Sequence, residues 1–168
     1  MRLGWRERAN AAAAFFFGHR TPLAWNQWAE VVSHTPRTPF FLGDLPHAWV
    51  GSDFVRTALD MFAYTREDDD SIVLAAGIPT AWLDGPGIAI SGLRTPHGQL
   101  AYSLRRQAGM LQLEVPASGL TLPKGGLVLP WPYAGAPGKA TIDGKPARWD
   151  GNALRIRQLP ATVQVAAP

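Results

Sequence analysis

The sequence predicts an α+β chain: two or three N-terminal helices packed on a C-terminal antiparallel β-sandwich. Three observations carry that expectation. Before residue 67 apolar residues recur at helical spacing; the run Glu67-Asp68-Asp69-Asp70 marks a change of composition; beyond it β-branched residues, Gly and Pro come in short alternating stretches. The expected division is a helical segment over 1–66 and a sandwich domain over 67–168.

The first helix is expected from Trp5, Ala9, Ala12 and Phe16, one stripe at steps of four, three and four, stopped by Gly18. A second is expected to open at Thr21-Pro22, because proline at the first helical position loses no needed N–H. It would place Trp25, Trp28 and Val32 on one face, with Glu30 off it. A third is expected near Asp44, a capping residue, with Pro46 in its first turn. There Val50, Phe54, Ala58 and Met61 form one stripe and Val55, Leu59 and Phe62 a second beside it, so the helix must be covered on more than one side.

Strands are expected at 72–78, 87–92, 99–107, 110–115, 126–130, 139–142, 153–157 and 162–166, separated by Gly, Pro, Asp and Asn. The clearest pair is LAYSLRRQAGMLQLEVP. Leu100, Tyr102 and Leu104 alternate with small or polar residues, Ala108-Gly109 turns the chain, and Leu111, Leu113 and Val115 alternate back. Short strands at this spacing point to a sandwich.

Composition removes several functions. The 168 residues are 46% apolar and only 17% charged, which leaves little charge to solvate the surface and favours a covered face: a homo-oligomer or a further domain. The net charge is +3 and the arginines are scattered, so the charge concentration that binds phosphate is missing and no nucleic-acid partner is expected. With no cysteine there is no thiol nucleophile and no thiolate metal site. The apolar run from Ala9 to Phe17 is too short to span a bilayer and is followed by no small-residue cleavage site. No Gly-rich phosphate loop, HExxH helix or GxSxG elbow is present, and no cofactor is expected. The 67–70 run lacks the glycine and distal glutamate of a calcium loop and reads as a solvated acidic turn; no metal ligands are assigned. His97, in TPHG, reads as surface.

The segments TPLAWNQWAEVV, GDLPHAWVGSDFVRTALDMFAY, GIPTAWL and GLRTPHGQLAYSLRRQAGMLQLEVP together resemble the end of a six-hairpin glycosidase, in which an α/α toroid is followed by a C-terminal sandwich. Within that clan, α-L-rhamnosidase-like members carry a Trp-carboxylate-x-Trp pattern in the last hairpin, then a helix opening near a His and an aromatic residue. Trp25, Asn26, Gln27 and Trp28 fit this pattern except that Asn26 stands where those enzymes have glutamate. An amide holds a sugar hydroxyl but takes no proton, and glycoside hydrolysis needs two carboxylates. In the helical part Glu30, Asp44 and Asp53 are the carboxylates with sugar-facing prospects, and the toroid's earlier hairpins are not among these residues.

The resemblance therefore implies a saccharide partner, with Glu30 as the catalytic candidate and Trp25, Asn26, Trp28, His47 and Trp49 as substrate-binding candidates, in a chain incomplete as a catalyst by itself. It also implies an upstream toroid domain. Each candidate has a plain structural reading beside the functional one: the tryptophans at helical spacing serve equally as hairpin core, and Glu30 as a solvated side chain. His47 at a helix N-terminus is placed to donate to a substrate oxygen, or else packs against Trp49. A non-catalytic module that docks through its helical stripes is the other class of function open to the sequence.

Overall fold

The computed structural model describes residues 1–33, 35, 43–117 and 119–168. They form two compact units, 1–60 and 61–168. The fold is α+β, with two α-helices among the described residues and two mainly antiparallel sheets.

In the first unit α1 spans Arg6–Gly18, and His19 closes it by donating its N–H to the carbonyls of Phe15 and Phe16. Phe16 is the anchor: its ring stacks on Trp28 at 5.4 Å and on Phe54 at 5.8 Å, and Trp28 and Phe54 meet at 4.5 Å. The expected second helix does not form. Leu23–Trp25 make a single 3-10 turn, ended by Asn26 at φ +50°, a left-handed conformation that asparagine adopts more readily than most residues. Trp25 and Trp28 are thereby separated instead of sharing a helical face.

The next helix, α2, spans Ala48–Phe62 and opens later than expected from Asp44. His47 occupies the position before the first helical residue, and its Nδ1 accepts the Val50 N–H at 3.4 Å. Arg2 and Asp60 form an ion pair at 3.0 Å. Neither helix has a buried residue. Among the described residues no helix is long and apolar enough to cross a membrane.

Among its described residues the second unit holds eleven strands: β1 Ala63–Arg66, β2 Ser71–Leu74, β3 Ile88–Thr95, β4 Gly98–Gln107, β5 Met110–Val115, β6 Gly126–Pro130, β7 Ala140–Ile142, β8 Lys145–Ala147, β9 Trp149–Asp150, β10 Ala153–Ile156 and β11 Ala161–Ala166. One sheet has the order β1-β2-β6-β10-β9, the other β3-β4-β5-β11-β7-β8. All pairings are antiparallel except β2 with β6.

The hairpin expected from alternation is β4–β5, with Gln107 opposite Met110 and both Ala108 and Gly109 at positive φ, as a two-residue hairpin turn requires. Its inward residues Leu100, Leu104, Leu111 and Leu113 share one core cluster with Ile72, Leu74, Leu127, Leu129, Leu154 and Ile156 of the other sheet. Central strands β2 and β6 are buried along nearly their whole length, so their runs SIVL and GLVLP do not alternate.

Two readings of loops need correction. The acidic run is not simply solvated: Asp69 accepts bonds from Arg66, Ser71 and Arg155. His97 is partly buried, with Nε2 3.1 Å from Asp70 Oδ1.

Candidate functional site

Three of the side chains that chemistry would use come together where the chain enters α2. The segment ending at Glu30 runs against the segment beginning at Gly43. Glu30 donates its N–H to the Asp44 carbonyl at 3.0 Å, and His47 donates its N–H to the Trp28 carbonyl at 2.9 Å. The Asp44 N–H in turn reaches Glu30 Oε2 at 3.2 Å, which fixes that carboxylate beside the second segment. Gly43 makes the approach possible. It sits at φ +65°, and a Cβ there would lie 2.3 Å from Glu30 Oε2.

The outcome is a cluster of Glu30, Asp44 and His47, each offering one ligand atom, all within 4.8 Å of one another. Two carboxylate oxygens and an imidazole nitrogen form a donor set of the kind divalent metals accept, and the same set receives hydroxyl groups. Glu30 and Asp44 are exposed and His47 is partly so. Beside them Trp49 is 80% exposed, its ring 6.2 Å from that of His47 and nearly perpendicular to it. A free indole face next to a hydrogen-bonding cluster is a platform on which the C–H face of a ring can lie.

The other candidates fall elsewhere. Trp28 is only 5% exposed, and its indole N–H is spent on the Phe16 carbonyl at 2.7 Å, so it offers a ligand neither a face nor a donor. It belongs to the aromatic core of the first unit, the plain reading of that residue. Asn26 Oδ1 accepts from the Arg20 guanidinium, which holds the amide in place at the left-handed turn. Trp25 is 62% exposed on the 3-10 turn, and among the described residues the cluster of Glu30, Asp44 and His47 does not include it.

Of six candidate side chains, Glu30, His47 and Trp49 are thus gathered and the others are not. The sequence named Asp44 as a carboxylate and as a cap; its place beside Glu30 rests on pairing between segments fourteen residues apart, which no local pattern announces.

No family model and no curated protein matches this chain. A solved structure of a glycoside hydrolase is similar over 83% of the chain, at 12% identity and a TM-score of 0.39. The chain spans 24% of that protein's length.

Proposed function

We propose that this chain is a saccharide-binding C-terminal region of a glycoside hydrolase-like protein, the helices standing for the end of an α/α toroid and the two sheets for its sandwich. The observation that carries the reading is the meeting of Glu30, Asp44 and His47 beside the exposed face of Trp49. The carboxylates accept hydroxyl protons, the imidazole donates or accepts according to its tautomer, and the indole covers the apolar face of a pyranose. The sandwich reading has its own support, because inward residues of both sheets fill one cluster.

Binding is the better-supported role for the carboxylates. Asn26, at the position of the clan's glutamate, supplies no base.

Titrating the chain with a panel of oligosaccharides, followed by tryptophan fluorescence and calorimetry, tests the proposal. Trp49→Ala and Glu30→Gln are each expected to weaken binding about tenfold, which corresponds to about 1.4 kcal/mol. Unchanged far- and near-ultraviolet circular dichroism would establish that both variants keep the fold. If no sugar in the panel binds, or if both variants bind as the parent does, the reading fails.

One observation favours the second class of function. Among the described residues, eleven of the twelve large exposed hydrophobic side chains lie in residues 1–60, among them Trp5, Phe17, Trp25, Trp49, Val55 and Leu59. A surface so apolar serves as a docking face. Sedimentation that stays monomeric across the concentration range would remove self-association from consideration.

A further inference from the structure

The second unit has a concave site of its own, distinct from the cluster at α2. Residues that face away from the core on β4, β5 and β11 are set by register: Ser103 pairs with Glu114, and Glu114 with Thr162. Three oxygen-bearing side chains therefore lie in a row at the inter-strand spacing of about 4.8 Å. The small side chains of Ala101, Ser103 and Thr162 leave the surface low there, while Pro116 and Pro160 stand at its border. These residues line a cleft of about 390 Å³, with Glu114 among them. That size suits one small ring rather than a long chain.

The next row lies beside the cleft without lining it. Arg105 pairs with Gln112, and Gln112 with Gln164, and the Arg105 Nε donates to Gln112 Oε1 at 3.3 Å. Two rows of hydroxyl, amide, carboxylate and guanidinium groups offer donors and acceptors side by side. Arg105 lies diagonal to Glu114 on the same face, within reach of a long side chain, so the one negative and one positive charge balance. A neutral ligand with many hydroxyls matches this surface, and a cation does not. Among the described residues Glu114 enters no ion pair, which leaves its oxygens for a ligand. The row is held in place by Asp143, whose Oδ1 accepts the Thr162 N–H at 2.8 Å.

We infer that the cleft over Ser103, Glu114 and Thr162 is a binding site for a neutral polyol, a monosaccharide unit whose adjacent hydroxyls bridge Glu114 and its two hydroxyl neighbours. The proline walls meet the C–H edges of the ring, and the amide row beyond extends the contact. This site stands independently of the one at α2.

The test is a nuclear magnetic resonance titration of the whole chain with the methyl glycosides of glucose, mannose and rhamnose, run in parallel with butylammonium chloride. Backbone resonances of residues 101–103, 113–116 and 160–162 are expected to move with at least one glycoside. The movement should persist in Trp49→Ala and weaken at least fivefold in both Glu114→Gln and Thr162→Val. Three results would overturn the inference: glycoside shifts confined to residues 28–30 and 43–50, shifts with butylammonium and none with a glycoside, or no shift at all. Loss of binding in Trp49→Ala alone would likewise place the sugar at α2 and not here. Both β-strand substitutions are at exposed positions, and a thermal midpoint within a few degrees of the parent checks that each variant is folded.

Discussion

Gly125→Ala is expected to cost about 3 kcal/mol or more, lowering the thermal midpoint by roughly 10 °C. The reason is space, not backbone freedom. A Cβ on Gly125 would sit 2.1 Å from the Asp69 carbonyl oxygen and 2.7 Å from that of Asp70. Those are main-chain atoms in the β1–β2 turn, and they have no rotamer by which to move aside. Retreat would break the bond that Gly125 N–H donates to the Asp70 carbonyl at 2.6 Å, and would pull on the Gly125 carbonyl, which the Arg155 guanidinium holds. Gly126, next in line, is as tightly placed: it sits at φ +76°, and a Cβ there would come 2.4 Å from the Ile156 carbonyl oxygen. The pair Gly125-Gly126 is where the first turn, the start of β6 and the end of β10 converge. Gly119→Ala is the matched control, since among the described residues nothing lies within 4 Å of a Cβ there. Calorimetric scans of the two variants decide the matter. Equal midpoints would show that the convergence is looser than described.

Elements whose signal is local were legible in the sequence. The β4–β5 hairpin follows from strict alternation around Ala108-Gly109, and α1 from one apolar stripe with a glycine stop. The second helix was misread because Trp25, Trp28 and Val32 have helical spacing for another reason. Trp28 is drawn into contact with Phe16 and Phe54, and Asn26 turns the chain left-handed to deliver it. Tertiary packing overrides a pattern of that length. The start of α2 moved because the Asp44 N–H is engaged by Glu30 and His47 takes the capping position.

Three strands carried no usable pattern. Ala63–Arg66 reads as the tail of the preceding helix, and only pairing with Ser71–Leu74 makes it β1. β8 and β9 are two or three residues long and lie at sheet edges, where Pro146 is tolerated because an edge leaves some N–H positions unpaired. The site divides along the same line. His47 and Trp49 share a helix start and could be read together, whereas the meeting of Glu30 with Asp44 is a contact between segments. The cross-strand row Ser103, Glu114 and Thr162 depends on the register of three strands, two of them from the predicted hairpin and the third from the far end of the chain.

Asp69→Asn is expected to destabilise the second unit by about 2 kcal/mol at neutral pH, and the loss should shrink in acid. Asp69 Oδ1 accepts from Arg66 Nε at 2.9 Å and from Ser71 Oγ at 2.6 Å, while Oδ2 accepts from Arg66 Nη2 at 2.7 Å and Arg155 Nη2 at 2.8 Å. These four bonds close the β1–β2 turn and tie it to β10, two strands away in the same sheet. An asparagine keeps one acceptor oxygen and turns an N–H₂ toward a guanidinium, so at least one charge-assisted bond becomes a clash of donors. The figure stays modest because the side chain is about one-third open to solvent, which screens the pairing. The bond from Arg66, then that from Ser71, holds the Asp69 carboxyl well below the usual carboxylate range. A carboxyl depressed in the folded state stabilises the fold above its unfolded value, near pH 3.9, and that contribution drains away as pH falls from there toward the folded value. The difference in thermal midpoint between parent and variant should therefore hold steady from about pH 8 to 5 and narrow below about pH 4. A gap that stays constant down to pH 2 would mean that Asp69 acts through shape alone, and the ionic account of the turn would have to be given up.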